Sequence, residues 1–285
     1  MRDPMSWALP LFRAYGIQVK LHIFFIIFTL GMFLRQVGMK GNPIWWVDVL
    51  FLTVVLLFAI ILLHEFGHCF GARSVGGDAK DVLIWPLGGL AYVEIPHNPR
   101  AHFVTTAAGP AVNVAICVVC AIGLLAGGYR ANLNPLADPY ITEIRHANGK
   151  TYTSEYGLRL YKPGTSERVL TPLDALEEQF KETSLRGRFP KVVTPGGGDQ
   201  IAAMMGAERA VAPGWAVWLQ RGFTLSWLLF LFNLIPAYPL DGGQLLQAMI
   251  WKRSDYRRGV TVAAYSGFVV AVLFLIVAVW QNEAL

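Results

Sequence analysis

The sequence predicts an all-α polytopic membrane protein with about five to six transmembrane helices, a short membrane-associated β element and a small extramembrane α+β insert. Three observations predict it. Of the 285 residues 54% are hydrophobic and only 15% are charged, where a soluble domain carries about 25% charged residues. Apolar runs of membrane-spanning length recur along the chain. One polar stretch, residues 129–214, interrupts them.

The expected spans are Leu21–Leu34, Val49 to about Phe70, Phe103–Leu125, Gly222–Tyr238 and Val260–Trp280. A helix needs roughly 20 apolar residues to cross the hydrocarbon, so the first is the shortest fit. The chain thus divides into an N-terminal membrane part, residues 1–128, the polar insert, residues 129–214, and a C-terminal membrane part, residues 215–285. The N-terminal stretch through Lys20 is mixed and lacks an apolar core with a small-residue cleavage site, so no removable signal sequence is expected.

Charge orients these helices. Segments on the N-terminal side carry Arg2, Arg13, Lys20, Arg73, Lys80, Arg100, Lys252, Arg253, Arg257 and Arg258, whereas the opposite short loop has only Arg35 and Lys40. Lysine and arginine collect on the cytoplasmic side, which puts the N-terminus inside and the insert outside. The net charge of +5 is explained by this orientation, and nucleic-acid binding is not expected. The partners expected are the lipid bilayer and, from the site described next, a transmembrane protein.

The second span ends in His64-Glu65-Phe66-Gly67-His68. On a helix the two histidines stand four residues apart on one face, as two imidazole ligands of one metal must. Glu65 leaves the same turn and can take a proton from water, the role the H-E-x-x-H pattern implies. Ionisable groups in hydrocarbon cost roughly 2.5–3.5 kcal/mol, so these side chains need a functional reason. The fourth span ends in NLIPAYPLDGG, Asn233–Gly243, and returns to the same membrane depth. Pro236 and Pro239 deny that segment a regular helix. Asp241 alone reads as a turn aspartate capping the next helix; paired with HEFGH it is the natural third ligand, leaving a fourth position for water.

Lys80–Ile95 is rich in β-formers and is punctuated by Pro86, Gly88 and Gly89, which reads as a hairpin-like element. In the insert, Ala147-Asn148-Gly149-Lys150 reads as a hairpin turn. Thr171-Pro172-Leu173-Asp174 opens a helix with Leu173, Leu176 and Phe180 on one face, and a second short helix is expected around Ile201–Ala207. Cys69, Cys117 and Cys120 read as packing groups. His22, in the first span, reads as a helix-packing histidine, with gating or pairing near the site as the alternative.

HEFGH at His64, PLGG at Pro86–Gly89, AGPAVN at Ala108–Asn113 and NLIPAYPLDGG at Asn233 together resemble, in order, the site-2 protease family of intramembrane zinc metalloproteases. The resemblance implies one Zn2+ ion held by His64, His68 and Asp241, with Glu65 as catalytic base. It implies that Asn113 and Asn233 line the site or hold the substrate backbone. A strand of the β element, with Gly88 and Gly89, would pair with an unwound substrate helix. The implied activity is cleavage of a membrane-anchored substrate, as in regulated proteolysis signalling. A compact multi-pass chain without processing signals suits a prokaryotic plasma membrane. Two other classes stand beside it: a membrane-anchored protease of another zinc family, and a non-proteolytic helix-binding relative or metal transporter. The LDGG match speaks against the former and the intact Glu65 against the latter.

Overall fold

The computed structural model describes residues 7–38, 48, 50–85, 88–135, 137, 141–171 and 196–283. The chain packs as two compact units, Met1–Ala115 with Leu228–Leu273, and Ile116–Trp227 with Phe274–Leu285.

The first unit begins with a hairpin that the sequence reading did not anticipate. Strands β1 (Ala8–Ala14) and β2 (Ile17–His22) pair antiparallel around Tyr15-Gly16. Both turn residues have positive φ, 52° and 81°, the conformation that suits a two-residue hairpin loop. In β2, Ile17 and Val19 are fully buried while Gln18 and Lys20 are only partly covered, the period-two pattern of a half-buried strand. Strands β3 (Asp78–Trp85) and β4 (Gly88–Glu94) form the expected second hairpin. The two hairpins join through a parallel β2–β3 pairing into one sheet of order β1-β2-β3-β4, which leaves β4 at an edge. A parallel pair requires a long crossover, and here it carries two helices, α1 (Ile23–Gly38) and α2 (Phe58–Ser74). Ile17, Val19, Val82 and Ile84 of the sheet pack with Ile61, Phe66 and Cys69 of α2 in one apolar core.

The all-α expectation is therefore corrected. Leu21 and His22 belong to β2, so the first apolar helix starts at Ile23 and His22 closes a strand instead of packing within a span. Lys20 stands opposite Leu83 and Leu21 opposite Ile84 in the parallel pairing, a backbone relationship that apolar length alone does not reveal.

A π-helical segment, Phe51–Leu57, runs into α2. The third helix, α3 (Pro99–Ala126), contains Pro110. It crosses α2 closely: a methyl on Gly67 would lie 2.6 Å from the Ala108 carbonyl oxygen, and one on Gly71 2.7 Å from the Ala108 Cβ. Small residues four apart are what allow membrane helices to approach this far.

Helix α4 (Gly197–Met204) lies in the insert. It starts before the expected Ile201 because Gly197 and Gly198 are helical and the break falls at Gly196, φ 86°. Helix α5 (Gly214–Asn233) stops at Asn233, α6 (Asp241–Arg253) begins at Asp241, and α7 (Tyr256–Glu283) closes the described chain. The span expected through Tyr238 thus ends earlier, where the Pro236 and Pro239 segment cannot continue a helix. Among the described residues, three helical stretches are long and apolar enough to cross a membrane: Val54–Ser74, Pro99–Ala126 and Tyr256–Trp280. Ile23–Leu34 is a shorter apolar helix.

In the second unit, β5 (Tyr129–Arg130), β6 (Glu143–His146) and β7 (Thr151–Thr153) form one small sheet; β8 (Leu160–Tyr161), β9 (Arg168–Val169) and β10 (Glu208–Arg209) form another. The expected turn connects β6 to β7, with Gly149 at φ 86°. The helix expected to open at Thr171 falls outside the described residues beyond Thr171 itself. Cys117 and Cys120 pack with Phe223, and all three cysteines are free and buried.

Candidate active site

The apolar core against the sheet fixes the azimuth of α2, and with it the face that carries His64, Glu65 and His68. All three are buried, at 4%, 4% and 9% exposure. Asp241 arrives from far along the chain, at the first position of α6. The preceding turn presses so closely on this helix that a methyl on Gly242 would lie 2.3 Å from the Ile235 carbonyl oxygen, and one on Gly243 2.6 Å from Tyr238 N. The glycines of LDGG let the loop fold back and deliver the carboxylate.

Asp241 Oδ2 lies 3.1 Å from His64 Nε2, and Oδ1 lies 3.4 Å from His68 Nε2. The two Nε2 atoms are 3.1 Å apart. Tetrahedral zinc with ligand bonds of about 2.0–2.2 Å holds its donor atoms roughly 3.3 Å from one another. The three side chains therefore already have the spacing of a coordinated set, with all donor atoms within 4.8 Å. Asp241 Oδ2 is buried and accepts no hydrogen bond. Imidazole nitrogens facing each other over a carboxylate with an unsatisfied oxygen are what a divalent cation resolves. Two imidazoles and a carboxylate fit one zinc ion.

The outer nitrogens of both rings turn to α3. His68 Nδ1 lies 2.9 Å from the Thr105 carbonyl oxygen, and His64 Nδ1 lies 3.0 Å from the side-chain amide nitrogen of Asn113. Between these two partners comes Gly109, where a methyl would stand 2.3 Å from His68 Nε2 and 2.9 Å from His64 Nε2. Thr105, Gly109 and Asn113 are spaced by four and share one face of α3.

A cavity of about 430 Å³ opens onto this centre. His64, Glu65, His68 and Asp241 line one part of it, and Gly88, Gly89, Leu90, Ala91 and Val93 of β4 another. Gly89 packs against Glu65 itself: a methyl there would lie 2.3 Å from Glu65 Cγ and 2.5 Å from Oε1. Gly88 has open space around its missing side chain and instead carries a φ of 154°. Asn233, at the end of α5, lines the cavity. Asn113 is fully buried behind His64 and is not among the lining residues.

His22 and Gln244 also line the cavity, and Gln244 was not singled out from the sequence. The alternation of Ile17–His22 was the available signal for His22, since it marks a strand and not a helix. For Gly109 the signal was a Gly-Pro pair inside an apolar helix, and for the Thr105 carbonyl there was none.

A profile of peptidase family M50 matches residues 52–276, which takes in every ligand and the base. The chain is 24% identical over 273 residues to zinc metalloprotease MJ0392 of Methanocaldococcus jannaschii, covering 95% of this chain and 54% of that protein. It is 26% identical over 285 residues to Rip3 of Mycobacterium tuberculosis, covering 96% of this chain and 51% of that one. The chain thus spans about half the length of the curated relatives it matches. Among solved structures it resembles the site-2 protease from Methanocaldococcus jannaschii, with a TM-score of 0.50 and 21% identity over 97% of this chain and 87% of that one. The likeness in fold, the profile match and the donor set agree, and the chain belongs to peptidase family M50.

Proposed function

We propose that this chain is an intramembrane zinc metalloprotease that hydrolyses a peptide bond in or near the transmembrane segment of a membrane-anchored protein, in regulated proteolysis signalling. One observation carries the reading: two imidazoles, a distant carboxylate and the Glu65 carboxylate meet at one wall of a cavity, on an apolar helix of membrane-spanning length.

His64, His68 and Asp241 would hold one zinc ion, which when bound would supply Lewis acidity toward a carbonyl oxygen and water. Glu65 takes the proton of the attacking water and returns it to the leaving nitrogen. Its burial, with Gly89 against it, keeps bulk water from competing for the carboxylate. The substrate segment, unwound from its helix, lies extended along the edge strand β4 and gains backbone hydrogen bonds there. Gly88 and Gly89 let its main chain approach, and Asn233 binds a peptide group across the cavity.

The protein sits in a prokaryotic plasma membrane with its N-terminus in the cytoplasm, five or six spans and residues 129–214 outside. The charge asymmetry and the archaeal and bacterial relatives support this placement.

The test uses the purified full chain in detergent with a single-span membrane protein as substrate. Zinc-loaded wild type is expected to cut it, and Glu65→Gln to bind zinc in equal amount without cutting. Cleavage by Glu65→Gln, or zinc flux into reconstituted vesicles without cleavage by wild type, would overturn the proposal.

A further inference from the structure

The histidine rings of the centre are held from behind by one helix, and the two holders differ in kind. His68 Nδ1 faces a main-chain carbonyl, Thr105 O, at 2.9 Å. A carbonyl only accepts, so this nitrogen carries the proton and Nε2 presents its lone pair to the centre. His64 Nδ1 faces the side chain of Asn113 at 3.0 Å, in a place where both residues are buried, Asn113 completely. A carboxamide offers a donor on one side and an acceptor on the other, and the two ends have nearly the same shape. Only one orientation serves a metal. With the amide oxygen toward His64, Nδ1–H donates and Nε2 keeps its lone pair for the ion; with the NH2 toward it, Nε2 would carry the proton and point it at Asp241.

We propose that Asn113 is the positioning residue of His64, its amide oxygen accepting the Nδ1 proton so that the ring is fixed in the metal-binding tautomer, as the Thr105 carbonyl fixes His68. Outer partners of this kind orient a ligand ring and raise its basicity. Three features support it. Asn113 lies behind the ring and does not line the cavity, so it is placed to touch His64 and not the substrate. It stands about two helical turns from Thr105 on the same face of α3, with Gly109 midway between the two. And Gly109, between them, brings the helix backbone against both Nε2 atoms, close enough that no side chain fits. Helix α3 thereby contributes a carbonyl, an empty position and a carboxamide, in the order the two rings require.

The inference rests on the zinc reading above, and its test separates the two. Zinc affinity of the purified full chain is measured by competition with a chromophoric chelator for wild type, Asn113→Leu and Asn113→Asp, with the visible spectrum of the Co2+-loaded proteins recorded alongside. Leucine keeps the volume and removes the acceptor; aspartate keeps an acceptor oxygen at the same reach. Asn113→Leu is expected to bind zinc about 10–100-fold more weakly and to show an altered Co2+ spectrum, while Asn113→Asp binds within a few-fold of wild type. If Asn113→Leu does not fold, Asn113→Ala, which only removes atoms, replaces it with the same expectation. Wild-type affinity and spectrum in the apolar variant would overturn the proposal, as would equal losses in the apolar and aspartate variants, which would show a packing role. A higher KM with zinc affinity unchanged would overturn it in favour of a substrate contact. Wild type that binds no zinc would instead sink the metalloprotease reading, and the inference with it.

Discussion

Gly89 of the edge strand lies directly on Glu65, so close that a single added methyl group would overlap the side chain at 2.3 Å from Cγ. The strand proposed to hold the substrate and the carboxylate proposed to move the proton are thus in van der Waals contact. A substrate paired along β4 is brought to the base by the same contact, and a change at position 89 acts on both.

Replacing Gly89 by alanine should push Glu65 from its place without touching a metal ligand. Cleavage is expected to fall at least 100-fold while zinc content, measured by atomic absorption, stays at one per chain. Gly88→Ala is the control, since open space surrounds that position and only its backbone conformation resists the change. It should lose less activity than Gly89→Ala.

Glu65→Gln is nearly isosteric, keeps the helix and removes the proton acceptor. The expected loss in kcat is about 10²–10⁴-fold, with KM and zinc affinity close to wild type. A loss of zinc in this variant would place Glu65 among the ligands.

Gly109→Ala would set a methyl 2.3 Å from His68 Nε2 and 2.9 Å from His64 Nε2. The rings must move or the helices must part. Zinc affinity is expected to drop at least about 10-fold, the scale on which disturbed outer supports act. Chelator competition on the purified protein reads this directly.

Metal removal should be visible as lost stability. A ligand present at 100 times its Kd stabilises the folded state by about 2.7 kcal/mol, so EDTA should lower the thermal midpoint of wild type. Asp241→Ala should respond to EDTA far less. Differential scanning fluorimetry with and without chelator makes the comparison.

Three long apolar helices, the ligand pair on α2 and the returning Asp241 were legible because each is announced by side-chain chemistry at a fixed spacing. Asp241 could be matched to the histidines across most of the chain because a carboxylate beside two glycines and two prolines, at membrane depth, has few other uses. The β1–β2 hairpin was missed because Leu21 opens an apolar run whose length outweighed the alternation of Ile17–His22. The parallel β2–β3 pairing is a backbone relationship between segments separated by two helices, and no residue type signals it. The supports behind the imidazoles were hidden for a related reason: Thr105 acts through its carbonyl and Gly109 through having no side chain at all.

The close crossing of α2 and α3 at Gly67 and Gly71 gives the H-E-x-x-H signature a second layer of meaning. The glycine immediately before the second histidine, Gly67, sets how near the neighbouring helix can come, and therefore whether Thr105 and Asn113 reach the rings. A relative with both histidines and the glutamate intact but a bulky residue at either of these small positions would keep its donors and lose their bracing. Recognition of working members from sequence should weigh the pair of glycines alongside the ligands they serve.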